Sequence, residues 1–206
     1  MQNNIRHRYL AGIKFCGTAA RLFLVSAILF LYGCGTAGMM YNNDIFAGKR
    51  KLQLKEYQDA LAFFVHAAQV SPDSVAYAYA ATAAFKLGDY QNAGQYLDQA
   101  QKLNGRSIAH LRIAGYRALI LLKPETTPDG LEALRNYIDV YERSEPLMSI
   151  NQVRSMWKSA QVDYPFLERL MDEQISIYED DVDDYLRGLP GWYQQKRYPF
   201  LLFQLP

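Results

Sequence analysis

Residues 54–74, LKEYQDALAFFVHAAQVSPDS, align without a gap on residues 87–107, LGDYQNAGQYLDQAQKLNGRS. Leu54 falls on Leu87, Tyr57 on Tyr90, Ala60 on Ala93 and Ala67 on Ala100, all at one constant offset. A unit that recurs in this way cannot bury its apolar face alone, so at least three units and a cap must stack into one elongated core. Ala60, Phe64 and Ala67 lie at i, i+4 and i+7 and share one helix face. The small alanines admit a neighbouring helix, and the aromatic fills the space between layers. Gly88 suits the end of a helix because it tolerates positive φ, and Asp89 can cap the helix that follows. Pro72 fits a first helical turn. A weaker third copy has Leu111, Ala114, Gly115 and Ala118 in its first helix and Glu132, Ala133, Leu134 and Tyr137 in its second. Residues 123–130, KPETTPDG, read as the loop between them.

These units, with the Leu87-Gly88-Asp89-Tyr90 turn, resemble the tetratricopeptide repeat, whose unit is about 34 residues long. The resemblance covers residues 41–146 and implies an all-α fold, an antiparallel helix-pair solenoid of about three repeats. Residues 147–187 are expected to add a capping helix pair. Leu147, Ile150, Val153 and Trp157 recur at helical spacing, as do Phe166, Leu167, Leu170, Met171, Ile175 and Tyr178. Residues 188–206 form an apolar aromatic tail. It either folds back on the array or exposes Trp192, Tyr193, Phe200 and Phe203 to a partner or a membrane interface.

The N-terminus carries a different signal. Residues 1–33 contain Arg6, Arg8, Lys14 and Arg21 and no acid, and residues 22–31, LFLVSAILFL, are uninterruptedly apolar. That run is shorter than the roughly 20 residues of a spanning helix and matches a signal-peptide core. Leu31-Tyr32-Gly33-Cys34 resembles the lipobox of bacterial lipoproteins. The resemblance implies cleavage before Cys34, diacylglycerol on its sulfur and an acyl chain, such as palmitate, on the new amino terminus. Residues 34–40 would be a tether. The residues alone also allow an uncleaved anchor, or cleavage near Ala37. Of the two cysteines, Cys16 would leave with the signal and Cys34 would be blocked, a self-consistent state for an exported protein. Gly35 in place of Asp after Cys34 implies, by the same resemblance, the outer membrane facing the periplasm. Without the four signal-segment cations, the 22 Lys and Arg fall to 18 against 21 acids, a net charge of −3. Such a body has no electrostatic reason to bind nucleic acid.

Catalytic motifs are missing from the sequence: it has no Gly-rich phosphate loop, no G-x-S-x-G and no H-E-x-x-H. His66 and His110 stand far apart and read as surface or inter-helix residues. Residues 179–184, EDDVDD, lack the alternation of a calcium loop and read as a solvated helix face. We therefore expect no enzyme, no metal and no cofactor beyond the lipid on Cys34. The tetratricopeptide register implies a partner-binding groove of Ile45, Lys49, Leu52, Val75, Ala78, Thr82, Phe85, Lys86, Arg112, Tyr116 and Leu119, half of which could equally belong to the core. Apolar patches with three cations suit an extended or helical peptide of some acidic character. The functional expectation is a lipid-anchored protein-protein interaction scaffold that assembles or stabilises an envelope complex. The rival is a small-ligand or glycan-binding lipoprotein in which Tyr77, Tyr79, Tyr116, Tyr137 and Tyr141 converge on one cavity.

Overall fold

The computed structural model describes residues 37–103, 108–123, 125–144 and 148–189. Among these residues every regular element is a helix. Residues 37–53 form α1. It is followed by α2 (Tyr57–Val70), α3 (Ser74–Lys86), α4 (Tyr90–Lys102), α5 (His110–Leu122), α6 (Pro128–Arg143), α7 (Asn151–Ser159) and α8 (Tyr164–Leu186). The signal segment, Cys34 and the tail beyond Leu189 lie outside the described residues.

Adjacent helices pack pairwise. α2 lies against α3, α3 against α4, α4 against α5, α5 against α6 and α6 against α7, while α3 also touches α5. The result is a solenoid-like stack with α3 and α5 side by side in one layer. α1 packs on α2 through Ile45 and Leu52, which reach the buried Phe64.

The sequence recurrence is written into the backbone of the turns. Lys55 donates to Leu52 O and Glu56 to Lys51 O; at the matching positions of the next unit, Gly88 donates to Phe85 O and Asp89 to Ala84 O. Both αL positions of this helix-ending motif are filled, by Lys55 at φ 62° and Gly88 at φ 82°. Glycine takes that conformation freely, whereas lysine is strained in it. The same bonding pattern closes α8 at Gly188. Asp89 caps α4 as expected, and Asp73, Thr127 and Asp163 likewise accept from the backbone N–H three residues on. Pro72 falls before the Asp73 cap and not in the first turn of α3.

Two boundaries differ from the sequence reading. Residues 37–40, read as the end of a tether, are already helical. α6 begins at Pro128, inside the expected loop, because the Thr127 hydroxyl caps Gly130 N and proline needs no donor in a first turn. α7 and α8 lie within residues 147–187, but α8 runs against α3 and α5 instead of stacking on the end of the array.

On α2 to α4 the buried apolar residues are mostly alanines, with Leu97 beside them, and Leu111, Leu119, Leu134 and the rings of Tyr116, Tyr137 and Tyr141 are fully buried farther along. Gly115 permits the close approach of α8: a Cβ there would lie 2.8 Å from Ile175 Cδ1 and 3.2 Å from Tyr137 Cε2.

Candidate functional site

The expected groove residues sit on α1, α3 and α5, the same elements the register proposed. Between them runs α8. Its apolar row, Leu167, Leu170, Met171, Ile175 and Val182, is buried. Beside that row is a polar one. Glu168, Asp172, Glu179 and Asp183 lie at i, i+4, i+11 and i+15, on one side of the helix. Each meets a groove residue. Lys86 on α3 donates to Glu168 at 2.7 Å and also to Asp172. Tyr116 on α5 donates to the other Asp172 oxygen at 2.6 Å. Lys49 on α1 reaches Asp183 at 3.4 Å. Lys86, late in α3, meets the start of α8, and Tyr79, nearer the start of α3, meets its second half. α8 therefore runs antiparallel to α3, and the Tyr116 and Arg112 contacts give the same sense against α5.

The centre of the contact is Glu179. Arg112 Nε donates to Oε1 at 2.9 Å and Nη2 to Oε2 at 2.7 Å, a two-pronged pair. Tyr79 Oη adds a bond to Oε2 at 2.5 Å. Arg112 Nη1 donates to Thr82 Oγ1, whose own proton goes to Ala78 O. The guanidinium also lies 4.0 Å from the Tyr79 ring centroid, a cation–π contact. Side-chain exposure is 6% for Arg112 and 2% for Glu179. Burial opposes the charge on Arg112, but Glu179 together with Tyr79 and Tyr116 outweighs it and raises the pKa further above the ordinary arginine value. Burial, with the charge of Glu179, pushes the Tyr79 phenol up; burial, with Asp172, does the same to Tyr116. The acidic run read as a solvated face is thus divided. Asp180 and Asp184 face solvent, whereas Glu179 is in the core. The run alone did not show this. The signal lay in the acidic row from Glu168 to Asp183, set beside an apolar row.

The structure accordingly places Thr82, Phe85, Arg112, Tyr116, Leu119 and Ala78 among buried residues. Ile45, Lys49, Leu52, Val75 and Lys86 are half-buried. Thr82, Arg112, Tyr116, Lys49 and Lys86 come together under or beside α8. Ile45, Leu52 and Val75 pack instead around Phe64 and Tyr79. Releasing α8 would uncover five apolar side chains worth roughly 1.5–3 kcal/mol each. Their sum, on the order of 10 kcal/mol, is comparable to the whole stability of a domain. In this structure α8 is part of the core.

The five tyrosines expected around one cavity make packing and hydrogen-bond contacts instead, Tyr137 stacking on Tyr141. Tyr77 stacks with Tyr96 at 6.4 Å. Tyr137 donates to Gln174 and Tyr141 to Met148 O, while Tyr79 and Tyr116 hold the α8 acids. A cleft of about 420 Å³ opens elsewhere, lined by Tyr57, Phe85, Lys86, Tyr90, Lys123 and Glu168 among others. His66 pairs with Asp44 at 2.7 Å on the surface. His110 lies 2.9 Å from the Ser144 hydroxyl, which is also bonded to Val140 O. Among the described residues no group of three or more His, Cys, Asp or Glu is placed to hold a metal, and no helix is long and apolar enough to cross a membrane.

No family model matches this chain, and no curated protein matches it.

Proposed function

We propose that this chain is a lipid-anchored, tetratricopeptide-like interaction scaffold of a bacterial envelope. It is held by acyl chains on Cys34 at the outer membrane, faces the periplasm, and stabilises a protein complex there without catalysis. The observation that carries the reading is the helix-pair stack itself. Its turns repeat from one unit to the next, and its first helix is already formed three residues after Cys34, so the array is presented close to the point where the lipid would attach. Two or three acyl chains give stable membrane residence where one does not. The buried Arg112–Glu179 pair and α8 tie α1, α3 and α5 together, which suits a spacer between a membrane and a partner. The residues expected to form the groove meet an amphipathic helix with an acidic row, α8, within the same chain. A partner would then engage the outer surfaces of the stack. Fold alone is a weak guide to function, so the anchor is tested first. Intact mass spectrometry of membrane-extracted protein, wild type beside Cys34→Ser, should show a species starting at Cys34 with added acyl mass that the variant lacks. A full-length, unacylated species would overturn the lipoprotein reading. Crosslinking in intact envelopes would then recover the partner protein.

A further inference from the structure

α1 has two opposed faces. Tyr41, Ile45, Gly48 and Leu52 point into the stack: Tyr41 donates to Asp73, Ile45 and Leu52 pack on the Phe64 cluster, and a Cβ on Gly48 would strike the Phe64 ring. Met39, Asn43, Phe46 and Arg50, at i, i+4, i+7 and i+11, lie on the other side. Phe46 is 70% exposed, Met39 65% and the flanking Met40 48%. Scattered exposed apolar residues need no explanation, but here a phenylalanine and two methionines crowd the first ten residues of one helix. The outward row carries a cation and no acid, and Asp44, the acid on α1, is turned to His66. The position of this helix in the chain says what covers the face. Met39 is five residues from Cys34, a path of at most roughly 18 Å even when fully extended. Wherever the sulfur enters a bilayer, the short path keeps the first turns of α1 within reach of the membrane surface.

We propose that the outer face of α1, Met39, Met40 and Phe46 with Arg50, seats on the lipid surface beside the anchor. The apolar side chains enter the headgroup–acyl boundary, and Arg50 extends to lipid phosphates, the arrangement of an interfacial amphipathic helix. The face adds a second membrane contact to the acyl chains and fixes the tilt of the stack, so that α2 to α8 project away from the bilayer. This inference rests on the anchored reading above, and the test separates the two.

The full chain, carrying a photo-crosslinking phenylalanine analogue at position 46, or at 39, or at the exposed Gln91 of α4, is irradiated in the membranes that receive it. Adducts and Cys34 acylation are read together by intact mass. The proposal expects phospholipid adducts at 46 and 39, none at 91, and a loss of adduct at 46 when Arg50→Glu is added. All these positions are exposed, so folding is not at issue. An acylated chain that gives no lipid adduct at 46, or a protein adduct there, overturns the proposal and leaves the anchor standing. A full-length, unacylated chain with the lipid adduct overturns the lipid anchor and keeps the face. A chain recovered unacylated from the soluble fraction without adduct overturns both.

Discussion

Removing the Glu179 carboxylate while Arg112 remains would strand a guanidinium that is 6% exposed. Breaking such a pair from one side costs about 3–5 kcal/mol, whereas replacing both partners by apolar groups of similar volume is often neutral. Glu179→Leu alone should therefore lower the denaturant midpoint steeply, and Arg112→Met with Glu179→Leu should recover most of the loss. A double variant no better than the single one would show that the pair is not the keystone described. The helix-ending turns give a second residue-scale test. Lys55 adopts the left-handed backbone that Gly88 adopts at the same place in the next unit. Lys55→Gly should stabilise by about 0.5–1 kcal/mol, and Gly88→Ala should destabilise by about 1 kcal/mol. Chemical denaturation measures both, and a destabilising Lys55→Gly would contradict the shared turn.

At the scale of elements, the Gly88 turn and the Asp89 cap were legible in the sequence because their chemistry is local. The caps at Thr127 and Asp163, equally local, were missed because a threonine in a proline-rich stretch and an aspartate before tyrosine read as loop. The seat of α8 was not legible, because its acids choose partners 56 to 134 residues away. Nothing in EDDVDD distinguishes Glu179, buried on Arg112, from Asp180 in solvent. The cations Lys49, Lys86 and Arg112 were visible as a set, and so was the preference for an acidic helix; that the helix belongs to the same chain was not. The tyrosines misled for a related reason: a long side chain with one polar end suits a strut between helices as well as a pocket wall. The closeness of α5 to α8 depends on Gly115. Gly115→Ala would press a methyl on Ile175 and Tyr137, a fault of overpacking expected to cost about 1–3 kcal/mol. A thermal melt reads it, and an unchanged midpoint would mean that the two helices stand farther apart.

For the whole molecule, the buried phenols and Lys86 set a direction for pH dependence. Burial raises Tyr79, Tyr116 and Tyr137, and it pushes Tyr141 up to about 12. Burial opposes the charge on Lys86, but Asp172 and Glu168 outweigh it and raise the pKa. Groups with folded values above their unfolded ones keep the native state richer in protons, so their contribution is complete below the unfolded values near about pH 10 and is lost as pH rises through the folded ones. Stability should fall from about pH 10 upward, and these tyrosines should ionise together with loss of helicity in an ultraviolet titration. Smooth ionisation near pH 10 with the helices intact would contradict their burial.

Above all, α8 is a structural part of the stack that fills the groove from within. Native-state hydrogen exchange on the full chain tests that claim most directly. The amides of residues 167–182 should exchange as slowly as those of α3 and α5, through global unfolding alone. If α8 instead exchanges fast while α3 and α5 stay protected, the groove opens on its own, and α8 is an occupant that a partner can replace.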